Sequence, residues 1–282
     1  MGPDAALEPL LVKAGLAPGA CRLLRVCARA GGRTLLQLSG PGGQRLKVRR
    51  FASAEAAAAM VRLRALIGEH EGFARVLACC DTLVLEEWVA GATLDRRDLP
   101  QHQARAAGLL LARLHRSPRP VGVPARATVL PLLEECRERL QELSDRAALL
   151  PDAVRRLEVA LVAGAPRQAR QGLIHFDFCG ENLIWSAARG VVSIDNEKLR
   201  PGPLAADLGR TWARWPLSGP ALHAFLTGYE AGGGPAESDR LPFWQLLGLV
   251  TSAWYRVRHQ PAAAAAPLRR LRALAAAGRA GA

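Results

Sequence analysis

Between Cys21 and Val89 the chain alternates short apolar runs with Gly- and Pro-bearing breaks: CRLLRVCA, AGGR, TLLQLSG, PGGQ, RLKVRRF, then ARVLACC and TLVLEEWV. Runs of this length bounded by turn-forming residues predict β-strands joined by tight turns. One stretch departs from the pattern. SAEAAAAMVRLRALIGEH places Ser53 as an N-cap before strong helix formers, and predicts a single helix among the strands. After Gly91 the period lengthens. HQARAAGLLLARLHR, LPLLEECRERLQEL, PDAVRRLEVALVAG and LPFWQLLGLVTSAWYRVRHQ repeat apolar residues every three or four positions. In the last of these Phe243, Leu247, Val250, Trp254 and Val257 fall on one helical face. The helical region is interrupted once, by QGLIHFDFCGENLIWSAARGVVSIDNEKL.

Composition narrows the classes without naming one. A chain of 282 residues, 50% apolar, is long enough for one large or two modest domains with a core. Lys and Arg number 38 against 25 Asp and Glu, a formal charge of +13. Such a balance raises nucleic acid, anionic membranes and phosphorylated ligands as partners. Only three of the 38 are Lys (Lys13, Lys47, Lys198), and only two Asn occur (Asn182, Asn196), so the Arg excess reads as a skew spread over the whole chain. Nucleic acid is further disfavoured because aromatic residues make up only 5% and are not interleaved with the basic ones. No run approaches the ~18 to 20 apolar residues of a membrane helix. MGPDAALEPL lacks the basic-then-apolar pattern of a secretory signal, so a cytoplasmic location is expected. The six cysteines contain no C-x-x-C pair, which points to buried free thiols rather than a zinc site or a disulfide framework.

The chemistry gathers in the interruption. LIHFDFCGENLIW sets His175, Asp177 and Asn182 in H-x-D-x-x-x-x-N order. A strand from Leu183 to Trp185, a turn at Ala188 to Gly190 and a second strand, VVSID, ending at Asp195, follow. Such a hairpin brings Asp177, Asn182 and Asp195 to one end, where oxygen donors suit a hard divalent cation. Phosphoryl transfer needs this set: one carboxylate for the acceptor's proton, and separate ligands for a metal on the phosphates.

These strings resemble the protein-kinase-like superfamily, and most closely its small-molecule branch, the aminoglycoside phosphotransferase and choline kinase group. HFDFCGEN is similar to that group's catalytic loop and SIDNE to its metal-binding segment. LKVRRF resembles the strand bearing the phosphate-contacting lysine, LVLEEWVAG the strand and hinge between lobes, and LLLARLH and AADLGRTWARW further segments of the group. The resemblance implies an α+β, bilobal kinase-like fold. Its β-rich, nucleotide-binding N-lobe would span residues 1–90, and its larger, mostly helical C-lobe residues 91–282, carrying the catalytic loop, metal site and acceptor binding. It implies ATP and Mg²⁺ as cofactors and a phosphotransferase acting on a hydroxyl of a small polar molecule: a sugar, an amino alcohol or a glycan precursor. Two other readings stand beside it. One is a kinase-like fold serving as a non-catalytic anion- or nucleic-acid-binding scaffold, and the other is an aminoglycoside-resistance kinase.

Carried onto this chain residue by residue, the resemblance makes Asp177 the catalytic base or hydroxyl-orienting group, and Asn182 and Asp195 the metal ligands. His175 becomes an architectural member of the loop, and Asp207 the buried aspartate bracing it. Glu197 is extended alongside Asp195 and reaches a second metal or forms a salt bridge. For the strand cation Lys47 is favoured, because a chain nearly free of Lys keeps one there; Arg49, two residues on and on the same face, is the competitor. Glu55 is the expected helix partner of that cation, with Glu69 and Glu71 as alternatives. Hinge backbone at Glu87, Trp88 and Val89 is expected to meet adenine. AGGRT, with two glycines, is the candidate phosphate-covering loop, although no G-x-G-x-x-G is present.

Departures from the superfamily bear on the acceptor. Cys179 replaces the Lys common in protein kinases, and Phe176 stands where the small-molecule branch often has Gly. Few residues separate SIDNEKL from AADLGR, which leaves little room to dock a peptide. Trp212, Trp215, Trp244, Trp254 and Tyr255 are candidates for covering a sugar ring, or else they pack between helices. Residues Arg240 to Ala282 hold seven Arg and no acidic residue, which favours a neutral or anionic acceptor over a polycationic one.

Overall fold

A computed structural model of the chain describes residues 7–29, 33–68, 72–235 and 240–277. The first elements are α1 (Glu8–Lys13), β1 (Arg22–Arg29), β2 (Arg33–Ser39), β3 (Arg45–Arg50), α2 (Ala54–Ala65), β4 (Val76–Cys80), β5 (Leu83–Glu87) and β6 (Ala92–Thr93). There follow α3 (Gln101–His115), β7 (Arg126–Thr128), α4 (Leu130–Asp145), α5 (Pro151–Gly164), β8 (Gln168–Ile174), β9 (Leu183–Ser186), β10 (Gly190–Ser193) and β11 (Arg200–Pro203). The last are α6 (Leu204–Arg214), α7 (Gly219–Ala231), α8 (Leu241–His259) and α9 (Ala265–Ala277). They form two compact units, one of Met1–Thr93 with Asn182–Leu199, the other of Leu94–Glu181 with Arg200–Ala282.

In the first unit five antiparallel strands lie in the order β1-β2-β3-β5-β4. Alternation decides what each face carries. Leu36, Leu38, Leu46, Val48, Leu83 and Leu85 bury one face beneath Leu7, Leu10 and Leu11 at α1. On the other, Val84 packs against Ala57 and Met60 of α2. That helix starts where the sequence predicts, the Ser53 hydroxyl accepting from the Ala56 N–H at 3.2 Å. A smaller sheet, β10-β9-β6, completes the unit. The boundary expected at residues 90 and 91 would leave the β9–β10 hairpin with the later part of the chain. Its pairing explains where it sits: β9 hydrogen-bonds β6, and Ser193 exchanges backbone bonds with Gly72 and Ala74.

The second unit is mostly helical, with one small sheet, β11-β8-β7. Its core joins Leu140 and Leu143 of α4, Leu157 and Leu161 of α5, Leu271 of α9 and a run of α8. The single apolar face expected for α8 is exceeded, since every residue from Leu246 to Ala253 is buried. Trp215 and Trp244 are fully buried core residues, so of the expected aromatic candidates these two serve packing. Helices approach to backbone contact at glycines. A Cβ on Gly209 of α6 would lie 2.0 Å from the Trp244 carbonyl oxygen of α8, and one on Gly108 of α3 would lie 1.9 Å from that of Phe225 on α7. Backbone cannot yield as a side-chain tip can, so Gly209→Ala is expected to cost about 3 kcal/mol in urea unfolding. A loss below about 0.5 kcal/mol would contradict this packing. Among the described residues no helix is long and apolar enough to cross a membrane.

Candidate active site

In the first unit, the register of β3 gathers the charged groups. Strand alternation turns Leu46 and Val48 into the core and Lys47 and Arg49 to the opposite face, and all four are buried. Lys47 lies directly across from Glu86 on β5, with Nζ 2.7 Å from its carboxylate, and also donates to the Ile194 carbonyl. Arg49 reaches further. Its guanidinium donates to both the Asp195 and Glu197 carboxylates, and its Nε lies 3.9 Å from Glu86. Burial works to lower the Arg49 pKa, but Asp195, Glu86 and Glu197 outweigh it and hold the group above its ordinary value. Both cations weighed for this strand therefore reach the Asp195 segment, Arg49 through the Asp195 and Glu197 carboxylates and Lys47 through the Ile194 carbonyl.

Glu55 is not brought to either cation. It is exposed on the first turn of α2, where hydrogen bonds to the Ser53 side chain and the helix backbone hold its carboxyl below its usual range. Among the described residues the carboxylate paired with Lys47 is Glu86, a cross-strand neighbour that sequence alone did not single out. Glu69 and Glu71 lie outside the described residues, as do Ala30, Gly31 and Gly32 of the AGGRT segment. Glu87 is tied down: its carboxylate accepts from the Arg75 backbone N–H at 2.9 Å, from Arg75 Nε at 3.0 Å and from Arg189 at 2.6 Å. Burial tends to raise its pKa, and these bonds lower it on balance. Stability from this clamp is thus present above the ordinary glutamate value of about 4.5 and fades as pH falls through the lower folded value. Glu87→Gln is expected to narrow the stability gap between pH 7 and pH 3.5 in denaturant titrations.

In the second unit one face of α6 holds the H-x-D loop. Asp207, Arg210, Thr211 and Arg214 follow the i, i+3, i+4, i+7 spacing of a single helical stripe. The Asp207 carboxylate accepts from the backbone N–H groups of His175 and Phe176, each at 2.6 Å, and from His115 Nε2 at 3.2 Å. Arg210 Nε donates to the Phe176 carbonyl at 2.7 Å, and the Thr211 hydroxyl to that of Phe178 at 2.9 Å. Next, Arg214 lies 3.0 Å from Asp177 and 3.4 Å from Glu181. His175 is wholly buried, its Nδ1 accepting from the Asp177 N–H at 3.3 Å, which is an architectural use. Phe176 takes a positive φ of 65°, a conformation glycine adopts without strain. This accounts physically for the departure at that position: the ring is stacked between the guanidiniums of Arg200 at 3.4 Å and Arg210 at 3.9 Å.

Asn182 and Asp195 bound the hairpin in the first unit, the Asn182 carbonyl accepting from the Ile194 N–H at 3.0 Å. Their side chains offer an amide and a carboxylate oxygen, which fit a hard divalent cation. Among the described residues no group of three or more His, Cys, Asp or Glu could hold a metal by itself. The donor set fits magnesium in particular, which commonly takes one or two protein oxygens and completes its shell with phosphate oxygens and water. The side chains of Arg210, Thr211 and Arg214 escaped the sequence reading, though polar residues spaced with Asp207 on one helical stripe were a signal that could have found them.

The sequence model of the phosphotransferase enzyme family matches residues 30–244, so the chain belongs to that family and is a small-molecule phosphotransferase. No curated protein matches the chain. Solved structures share the fold at low identity. A macrolide 2'-phosphotransferase from Brachybacterium faecium is 17% identical, covering 94% of this chain and 96% of its own, with a TM-score of 0.66. An aminoglycoside phosphotransferase from Alicyclobacillus acidocaldarius is 20% identical over 96% and 95% of the two chains, with a TM-score of 0.62. A choline kinase from Cryptosporidium parvum is 12% identical over 92% and 90%, with a TM-score of 0.65. The fold is that of the protein-kinase-like enzymes, α+β with an antiparallel sheet and a mostly helical remainder.

Proposed function

We propose that the chain transfers the γ-phosphoryl group of ATP, with Mg²⁺, to a hydroxyl of a small polar molecule. The acceptor oxygen forms the new P–O bond as the bond to the β-phosphate's bridging oxygen breaks. ADP leaves with that electron pair, and the hydroxyl proton passes to Asp177. The observation that carries this reading is the placement of Asp177. It is a buried carboxylate on a loop fixed at the Phe176 and Phe178 carbonyls and at two backbone N–H groups by one face of α6. A loop held this way keeps a reacting group in one orientation, the condition for effective positioning. Arg49 is assigned to the nucleotide phosphates, and Asn182 and Asp195 to Mg²⁺, which supplies neutralisation of phosphate charge when bound. Lys47 is assigned to orienting the Asp195 segment through the Ile194 carbonyl. The Glu87 and Trp88 N–H groups already donate to the Arg75 and Arg45 carbonyls, so Val89 is the hinge residue assigned to adenine.

The test is ATP consumption over a panel of sugars, amino alcohols and glycan precursors, for the native protein, Asp177→Asn and Asp195→Ala. Transfer by the native protein and its loss in both variants is expected. No transfer to any acceptor, together with no stabilisation by ATP and Mg²⁺, would sink the reading, because ligand at a hundred times Kd stabilises by roughly 2.7 kcal/mol.

A further inference from the structure

Around Asp177 the balance of charge is positive before any substrate arrives. Arg200, Arg210, Arg214 and Arg256 interact there with Asp177, Glu181 and Asp207. Asp207 is committed to two backbone N–H groups and His115. Arg210 is committed as well, stacked on Phe176 and bonded to its carbonyl. Arg214 is different. Its side chain is 18% exposed, and its partners are Asp177 itself, the exposed Glu181 and the Cys179 sulfur at 3.8 Å. Its Nε is buried without a hydrogen-bond partner. Arg256, half-buried on the last turn of α8, is bonded instead to the Ala263 carbonyl at 3.3 Å. Burial works to lower the Arg214 pKa, yet Asp177, Cys179 and Glu181 keep it above the ordinary value, so the group is a permanent cation.

An arginine salt-bridged to the residue that must receive a hydroxyl proton competes with that task. We propose that Arg214 is the recognition site for an anionic group on the acceptor, a phosphate or a carboxylate close to the hydroxyl that is phosphorylated. The inference rests on the assignment of Asp177 above and narrows the acceptor from neutral or anionic to anionic. A planar guanidinium matches phosphate and carboxylate oxygens two at a time. The incoming anion takes the Nη1 position now held by Asp177, and Arg214 then no longer competes with the hydroxyl for that carboxylate. A polycationic acceptor would have to bring its charge against the Arg214 guanidinium.

The probe is inorganic phosphate, its binding measured by calorimetry on the native protein, Arg214→Gln, Arg214→Lys and Asp177→Asn. ADP-dependent thermal shift serves as the check that each variant is folded. Arg214→Gln is expected to weaken phosphate binding at least tenfold, and Arg214→Lys by less. Asp177→Asn removes the internal competitor and is expected to tighten binding about threefold, a gain that a purely structural arginine does not produce. Turnover is then compared for glycerol, glycerate, glycerol phosphate and ethanolamine. Phosphate binding indifferent to both Arg214→Gln and Asp177→Asn, or turnover that favours ethanolamine, overturns the anionic acceptor while leaving the phosphotransferase reading intact. Phosphate binding that follows the variants, with no response to ATP and Mg²⁺ at all, keeps the anion site and removes the reading of Asp177 on which it was built.

Discussion

Asp177→Asn is expected to lower kcat by about 10²- to 10⁴-fold, the range a positioned proton acceptor contributes. The substitution preserves shape and volume, so the loss is one of chemistry rather than packing. Asp207, Arg210 and Thr211 hold the loop backbone through four hydrogen bonds, none of which involves the Asp177 side chain. Nucleotide affinity is expected to change less than threefold, because the residues assigned to the phosphates belong to the other unit. Single-turnover transfer and equilibrium ATP binding, measured on the same preparation, separate the two. A variant within a few-fold of native kcat would remove Asp177 from the chemical step and leave Arg214 as its structural partner only.

The face of α6 also explains why this part of the site was only half legible in the sequence. The H-x-D-x-x-x-x-N string is local, and local spacing was enough to mark His175, Asp177, Asn182 and Asp195. Asp207 was marked by resemblance. Its companions Arg210 and Thr211 bond the loop's carbonyls and Arg214 pairs with its carboxylates, but the arginines sit in a chain with many others, where one more Arg carries little information. Only the helical stripe distinguishes them.

The sheet shows the same limit from another side. Strand positions, the Ser53 cap and the β9–β10 hairpin followed from period and turn residues, all of which act over a few positions. Which carboxylate meets Lys47 did not, because it depends on the register between β3 and β5, strands separated by a helix and a further strand. A shift of one residue would have turned Glu86 to the other face. Family resemblance pointed to a helix glutamate; among the described residues the register supplies a strand glutamate, Glu86. The hairpin's place was likewise not local: it follows from bonds between Ser193 and residues over a hundred positions earlier.

The pair Lys47→Met and Arg49→Met separates the two strand cations. Arg49→Met is expected to weaken ATP binding at least tenfold, and to cost about 3 kcal/mol of stability, since it takes a buried guanidinium away from two half-buried carboxylates, Asp195 and Glu197. That cost should be the same at pH 7 and pH 9. The Arg49 pKa is raised in the folded protein, so its contribution is complete below the ordinary arginine value, far above pH 9, and is lost only as pH rises through the still higher folded value. Lys47→Met strands a single carboxylate, Glu86, which Arg49 Nε still approaches at 3.9 Å. It is therefore expected to cost less stability and to leave ATP affinity within about threefold of native. Isothermal binding of ATP and urea unfolding at both pH values measure these quantities. If ATP affinity collapses for Lys47→Met and survives in Arg49→Met, the scarce lysine is the phosphate-contacting residue after all, and the bridge from Arg49 to Asp195 and Glu197 is a brace for the hairpin. If it collapses for Arg49→Met alone, the guanidinium that now gathers two carboxylates is the group that meets the phosphates.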